Sequence, residues 1–223
     1  MTGSLFFAAI AKFLLGSALT AALIFLPAGT TAFFGGRLLM VILFVPMFLA
    51  GIVMMVRNPE LLKKRLRARE TEGEQQAVIR LSGLMFVAGF VLSGLSFRFG
   101  WIAFPRWAQL TGAAVFLIAY GLYGEVLREN AYLSRTIEVQ ENQQVVSTGL
   151  YGVVRHPMYA VTLLLFLAIP VVLGAPAALP VFLGYPAILA KRIRNEGAVL
   201  EAGLPGYRDY EKKVRYRLLP FVW

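Results

Sequence analysis

The sequence predicts an all-α protein, a polytopic integral membrane bundle of about five to six transmembrane helices. Of its 223 residues, 58% are hydrophobic, whereas soluble domains hold roughly 45–50% apolar residues. The mean hydropathy is +0.68. The apolar residues fall into blocks, and several blocks approach the roughly 20 residues that a membrane crossing needs. Most of the 22 Lys and Arg residues lie between the blocks.

Four apolar blocks predict helices that span the bilayer or nearly do so. They cover residues 5–27, 33–56, 81–97 and 108–126, and the third is the shortest. The first block carries Lys12 within its apolar run, and a second block follows at once. Both features are unlike a signal peptide, so this block is interpreted as the first helix.

A fifth apolar region, residues 158–190, predicts a helical hairpin. The segment "LGAP" at 173–176 and then Pro180 interrupt it, and glycine and proline are the residues that break helices. Each arm is therefore short. Because a hairpin brings its own ends together, the polar stretches at 155–159 and 191–223 are expected to be neighbours.

The basic residues predict the orientation of the bundle. Eighteen of the 22 lie in three segments, 57–80, 127–157 and 191–223. Basic loops stay in the cytoplasm, so these segments and both termini are predicted to be cytoplasmic. The net charge of +10 then reflects loops that face an anionic leaflet rather than nucleic acid.

The motif "RHPMY" at 155–159 contains the single histidine of the chain. Proline disfavours a helical conformation in the residue before it and suits the first helical position. His156 is therefore predicted just outside the start of a membrane helix, where free N–H groups favour a carboxylate or phosphate. The alternative is an ordinary interfacial helix start. With one histidine and no cysteine, a transition-metal site is not expected.

Arg192 and Glu196 lie four residues apart on the helix that leaves the hairpin. This spacing places both on one helix face. Ionisable groups close to a membrane boundary are functional candidates by default. The alternative is an exposed ion pair of little energetic value.

Together these features resemble one family. The stretch "QQVVSTGLYGVVRHPMY", a hydrophobic hairpin, then Arg192, Glu196, Leu200 and "GYRDY" resemble the isoprenylcysteine carboxyl methyltransferase family, within the wider group of membrane phospholipid methyltransferases. The resemblance covers roughly residues 125–220. The family often has two adjacent glutamates where this chain has Glu196 and Gly197.

The resemblance implies S-adenosylmethionine as the cofactor, in a cytoplasmic pocket. It implies a methyltransferase-like region over residues 108–223, continuous with N-terminal transmembrane helices over 1–107. By the same resemblance Arg192 is the catalytic residue that faces the methyl acceptor. The acceptor would be lipophilic, a prenylcysteine carboxylate or a lipid that enters from the bilayer. The implied cofactor-binding residues are Gln140, Gln143, Gln144, Val145, Val146, Tyr151, His156, Pro157, Met158, Tyr159 and Glu196.

Two other functions stay open from the sequence. Membrane sterol reductases, which use NADPH, have a similar C-terminal architecture, although no extra basic cluster for a 2′-phosphate stands out near Gln143. A non-catalytic membrane lipid-binding protein is the third possibility. Binding of S-adenosylhomocysteine or of NADPH distinguishes the three.

Overall fold

The computed structural model describes residues 3–57, 59–67, 73–133 and 139–223, and it confirms the all-α prediction for them. Two short 3₁₀ turns, Gly149–Gly152 and Pro176–Ala178, connect helices in the second half of the chain. Nine α-helices follow one another in the described residues: α1 (Gly3–Ala28), α2 (Phe34–Arg57), α3 (Pro59–Arg67), α4 (Gly73–Arg98), α5 (Arg106–Glu129), α6 (Pro157–Val172), α7 (Leu179–Leu183), α8 (Tyr185–Gly203) and α9 (Tyr207–Lys213).

Four helices in the described part of the chain are long and apolar enough to cross a membrane. Their spans are Phe6–Ala28, Phe34–Arg57, Gln76–Arg98 and Arg106–Glu129, which confirms the four apolar blocks as helices. The third span begins at Gln76, before the predicted start at residue 81, because the polar residues that precede the apolar block are also helical in α4. At about 1.5 Å per residue, the 16 residues of α6 extend about 24 Å, less than the roughly 30 Å of the hydrocarbon core.

The predicted hairpin is present, with its turn at residues 173–176. Helix α6 ends at Val172, and Gly174 adopts a left-handed conformation with φ 71°. The second interruption takes a different form from the one expected at Pro180. Pro180 lies in the first turn of α7, where a missing N–H breaks no helical hydrogen bond. The returning arm is instead interrupted at Gly184, and α8 begins at Tyr185.

Helix α6 lies at the centre of the bundle. It packs along α5 and also touches α2, α7 and α8, while α1 packs against α4 and α2. Helices α5 and α6 approach closely at Gly112, where a Cβ atom would come within 2.9 Å of Val171. A glycine at this position therefore permits the tight contact that fixes α6 in the bundle.

The predicted cytoplasmic segments adjoin one end of the bundle, because they follow or precede the same ends of α2, α4, α5 and α6. Lys12 in α1 donates a hydrogen bond of 2.6 Å to the carbonyl oxygen of Leu66 in α3, which ties the first helix to this end. Residues 68–72 and 134–138 of these segments lie outside the described residues.

Two cavities lie at opposite ends of α6. The polar cleft surrounds its first residues, and the aromatic cavity lies just beyond its last residue. In the aromatic cavity, of about 310 Å³, Phe33 and Phe97 stack with their ring centroids 4.5 Å apart. The guanidinium of Arg106 lies 4.0 Å from the centroid of Phe34. This cavity is also lined by Gly35, Ser93, Ser96, Gly100, Trp101, Ala103, Gln109, Leu173, Gly174 and Ala175.

Candidate active site

The polar cleft brings most of the predicted site residues together. Its volume is about 90 Å³. It is built by the loop before α6, the start of α6, one face of α8, and α9. The predicted residues that line it are Gln143, Gln144, Val145, Val146, Tyr151, His156, Met158, Tyr159, Arg192 and Glu196.

Two predicted residues, Gln140 and Pro157, lie beside the cleft rather than on its wall. The side-chain amide of Gln140 donates to the carbonyl oxygen of Tyr132 at 2.5 Å, and its backbone N–H donates to Oε1 of Gln143 at 2.8 Å. Gln140 thereby holds the loop that carries Gln143. Pro157 is fully buried in the first turn of α6.

His156 lies just outside the start of α6, as predicted, with the non-helical angles φ −124° and ψ 63°. Only 6% of it is exposed. Its ring stacks on that of Tyr159 with the centroids 5.8 Å apart. Burial lowers the pKa of His156 below its usual value of 6.5; Glu196 opposes this shift, and Arg155 and Arg217 add to it. At neutral pH the imidazole is therefore uncharged.

The C-terminal segment supports the backbone that leads into α6. The backbone N–H of Arg155 donates to the carbonyl oxygen of Tyr216, and that of His156 donates to Arg217, both at 2.9 Å. Leu218 is buried beside them. The segment 214–218 thus fixes the backbone immediately before α6.

A chain of hydrogen bonds links Arg192 and Glu196 through a tyrosine. The hydroxyl of Tyr159 donates to Oε2 of Glu196 at 2.6 Å, and Nε of Arg192 donates to the same hydroxyl at 2.8 Å. Arg192 and Glu196 are half-buried on α8. The bridge holds a cation and an anion at fixed positions in the cleft, unlike a solvated surface pair.

Tyr151 is held by hydrogen bonds at its hydroxyl and at its backbone carbonyl oxygen. Its hydroxyl accepts a hydrogen bond of 3.0 Å from Nδ2 of Asn130, and its carbonyl oxygen accepts one of 2.7 Å from the hydroxyl of Tyr210. Burial is the main cause that raises the pKa of Tyr151. Its phenol is therefore a neutral part of the cleft wall.

The 3₁₀ turn that presents Tyr151 is locked onto the end of α5. Glu129 accepts a hydrogen bond of 3.0 Å from the N–H of Leu150. Gly149, before it, has φ 52°, and a Cβ atom there would overlap the Glu129 carboxylate. Glycine is required at this position both for its left-handed backbone and for the space it leaves.

Sequence reasoning missed the contribution of α9. In the motif "GYRDY", interpreted above only as part of the resemblance, Tyr207 and Tyr210 are 4% and 5% exposed and both line the cleft. Their i, i+3 spacing places them on one helix face, and this spacing is the signal that could have found them.

Arg155, also missed as a site residue, lines the cleft and forms an ion pair with Glu211 of α9. Its Nη2 donates weakly to the carbonyl oxygen of Arg215, at 3.4 Å. Within the described residues, its Nε and the hydroxyl of Tyr207 are buried with no hydrogen-bond partner. Two donors of the cleft are thus left for a ligand.

Apolar helices long enough to cross a bilayer, with a charged, open cleft at one end of the bundle, define an integral membrane protein. The model of the isoprenylcysteine carboxyl methyltransferase (ICMT) family matches residues 111–202, which carry most of the cleft. Over this segment the chain is similar to that family.

A solved structure of the eukaryotic intramembrane Ras methyltransferase ICMT has the same fold. It is 17% identical, with a TM-score of 0.59, and the match covers 96% of this chain and 77% of that one. None of the curated proteins matches the chain. The family match favours the methyltransferase over the membrane reductase and the lipid-binding protein. It ends at residue 202, so α9 and the C-terminal segment lie outside it.

Proposed function

We propose that the protein transfers a methyl group from S-adenosylmethionine to a lipophilic acceptor, a prenylcysteine carboxylate or a lipid, at the cytoplasmic face of the cell membrane. The observation that carries this proposal is the hydrogen-bonded chain of Arg192, Tyr159 and Glu196. It lies inside the polar cleft and inside the segment that the family model matches.

The residues of the cleft fit this cofactor. When bound, S-adenosylmethionine supplies a methyl group on a positively charged sulfur. Glu196 offers a carboxylate to the positive charges of such a ligand, since the cleft is partly shielded from water and opposite charges attract more strongly there. The adjacent amides of Gln143 and Gln144 and the ring of Tyr151 line the same space. The cofactor would be held by these groups together with His156 and Met158.

Arg192 suits the orientation of an anionic acceptor. A guanidinium is always charged and can donate two parallel hydrogen bonds to a carboxylate. A carboxylate arrives ionised, so an oxygen–carbon bond can form as the carbon–sulfur bond breaks, with the electron pair staying on sulfur and no proton released. Such a reaction needs no general base, and Arg192 has only to position the acceptor near the methyl carbon.

The acceptor would reach Arg192 from the bilayer. Helix α8 begins at the buried Tyr185 and Leu189 and becomes polar at Lys191 and Arg192. A prenyl chain lying beside the apolar part of the bundle would therefore present its polar end at the level of Arg192.

The test uses the purified protein in lipid nanodiscs. Calorimetry should show binding of S-adenosylhomocysteine and no binding of NADPH. With labelled S-adenosylmethionine, a prenylated cysteine with a free carboxylate should become methylated, and its preformed methyl ester should not. Binding of NADPH instead would indicate a reductase, and binding of neither compound a non-catalytic protein.

We also propose that both termini and the segment 57–80 are cytoplasmic, from the distribution of basic residues. Reporter fusions after Trp223 should be active only on the cytoplasmic side. A fusion inserted at Thr30, between α1 and α2, should give the opposite result. The same signal from both positions would contradict this orientation.

The division into N-terminal helices over 1–107 and a methyltransferase-like region over 108–223, within one continuous bundle, remains a proposal. Contacts of α2 with α5 and α6, and of α4 with α8, support a bracing role for the N-terminal helices.

A further inference from the structure

The polar cleft holds two buried hydrogen-bond donors that nothing in the described residues satisfies. They are Nε of Arg155 and the hydroxyl of Tyr207. The Arg155 side chain is 10% exposed and Tyr207 is 4% exposed. A buried donor without a partner is destabilising, and native proteins rarely keep one. Two such donors that line the same open cleft indicate a ligand that accepts hydrogen bonds there.

The neighbouring groups restrict the chemistry of that ligand. The other nitrogens of Arg155 are engaged by Glu211 and by the carbonyl oxygen of Arg215, so Nε–H is the donor left over. Burial raises the pKa of Tyr207 to about 12, so its hydroxyl keeps its proton at neutral pH. Both groups can therefore donate, and the group they bind must accept.

Charge orders the two ends of the cleft. Arg155 lies before α6 and pairs with Glu211 of α9, whereas Glu196 lies on α8 and accepts a hydrogen bond from Tyr159. A cofactor with a carboxylate and a sulfonium would place its negative end towards Arg155 and its positive end towards Glu196.

We propose that Arg155 and Tyr207 bind the carboxylate of the methionine moiety of the cofactor, with α9 as the element that carries this subsite. The assignment rests on the proposed function, because it names the end of S-adenosylmethionine that the two donors hold. It adds two binding residues, of which Tyr207 lies beyond the segment matched by the family model.

The test is Tyr207→Phe, with Tyr210→Phe as the matched control. Both tyrosines are buried on α9, but the hydroxyl of Tyr210 already donates to the carbonyl oxygen of Tyr151. Without ligand, Tyr207→Phe should leave the melting temperature unchanged or raise it, because it removes an unsatisfied polar group, and Tyr210→Phe should lower it. Tyr207→Phe should weaken binding of S-adenosylhomocysteine about ten-fold, as expected for a lost hydrogen bond to a charged group.

A second ligand tests which part of the cofactor Tyr207 binds. The compound 5′-methylthioadenosine lacks the carboxylate, so its affinity should be the same for wild type and Tyr207→Phe. Arg155→Lys, which keeps a charge for Glu211 but lacks the Nε–H, should show the same selectivity.

Three outcomes would overturn the assignment: unchanged affinity of Tyr207→Phe for S-adenosylhomocysteine, equal weakening for both ligands, or a melting temperature as low as that of Tyr210→Phe. Failure of the wild type to bind S-adenosylhomocysteine would instead refute the proposed function.

Discussion

The polar cleft and the aromatic cavity differ in size and are opposite in chemistry. Their volumes are about 90 and 310 Å³, at the two ends of α6. The polar cleft is lined by Arg155, His156, Arg192 and Glu196. The described lining of the aromatic cavity includes one charged side chain, Arg106. Cavity volume alone therefore does not distinguish a reactive site from a packing gap in this bundle.

The two cavities differ because of the chain segments that reach them. The aromatic cavity is closed by the short connections that follow α1, α4 and α6. The polar cleft is closed by the long connection from α5 to α6 and by α9. Membrane helices are mostly apolar along their length, so the polar groups needed for chemistry come from longer segments outside the bilayer.

The largest effect is expected at Arg192 in the polar cleft, with Arg106 in the aromatic cavity as the control. Arg192→Lys should lower kcat about 100-fold, because lysine keeps the charge but loses the planar fork that orients the acceptor. The dissociation constant for S-adenosylhomocysteine should stay the same. Arg106→Lys, the control in the aromatic cavity, should leave both quantities unchanged. If Arg192→Lys weakened cofactor binding as much as turnover, Arg192 would not be specific to the acceptor.

A smaller effect is expected for the anion of the polar cleft. Glu196→Gln removes the charge that accepts a hydrogen bond from Tyr159, and bonds to charged groups contribute about 1.5–3 kcal/mol. Calorimetry should show the dissociation constant for S-adenosylhomocysteine rising about ten-fold or more. Ser96→Ala, at a buried polar group of the aromatic cavity, should bind as the wild type does. An unchanged affinity of Glu196→Gln would remove Glu196 from the cofactor site.

Two glycines with a left-handed backbone, one beside each cavity, allow a comparison of stability and of ligand affinity. Gly149, with φ 52°, lies against Glu129 near the polar cleft. Gly174, with φ 71°, lies at the aromatic cavity, and a Cβ atom there would come within 2.6 Å of Nε2 of Gln109. Either glycine changed to alanine should destabilise the fold by about 1–3 kcal/mol, seen as a lower melting temperature. Only Gly149→Ala should also weaken the binding of S-adenosylhomocysteine, because it displaces the turn that carries Tyr151. Equal affinities of the two variants would contradict this distinction.

The smallest effect is a pH dependence that belongs to the polar cleft. The pKa of His156 is lowered in the folded state, so below pH 6.5 the unfolded chain binds a proton that the folded chain resists. Stability should therefore fall as the pH drops through 6.5 and below. Melting temperatures of wild type and His156→Gln, measured side by side, should differ in slope over this range. Parallel curves would mean that His156 does not contribute.

The sequence predicted the elements of the bundle better than their connections. Block length and hydropathy were sufficient for α1, α2, α4 and α5, because a membrane crossing has a fixed length. The segment "LGAP" correctly marked the hairpin turn. Pro180 was a poorer guide, since proline within the first turn starts a helix as readily as it ends one elsewhere.

The features of the candidate site that depend on neighbouring residues in the sequence could be predicted. Pro157 fixed the start of α6 and so the place of His156. The bridge through Tyr159 and the inward face of α9 could not be predicted, because they depend on how segments 30 to 60 residues apart meet. A tyrosine gives no sign in sequence of whether its hydroxyl faces water, a neighbour or a ligand.

The pairing of Arg155 and His156 with Tyr216 and Arg217 has a consequence for biogenesis. A membrane protein is inserted from its N-terminus as it is synthesised, so α1 to α6 can be in place while the segment 214–218 is still being translated. The backbone before α6 gains its two hydrogen bonds only when that segment has been made and has folded back. A ribosome-bound chain that contains α8 but not yet residues 214–218 therefore lacks the two hydrogen bonds that hold the backbone before α6.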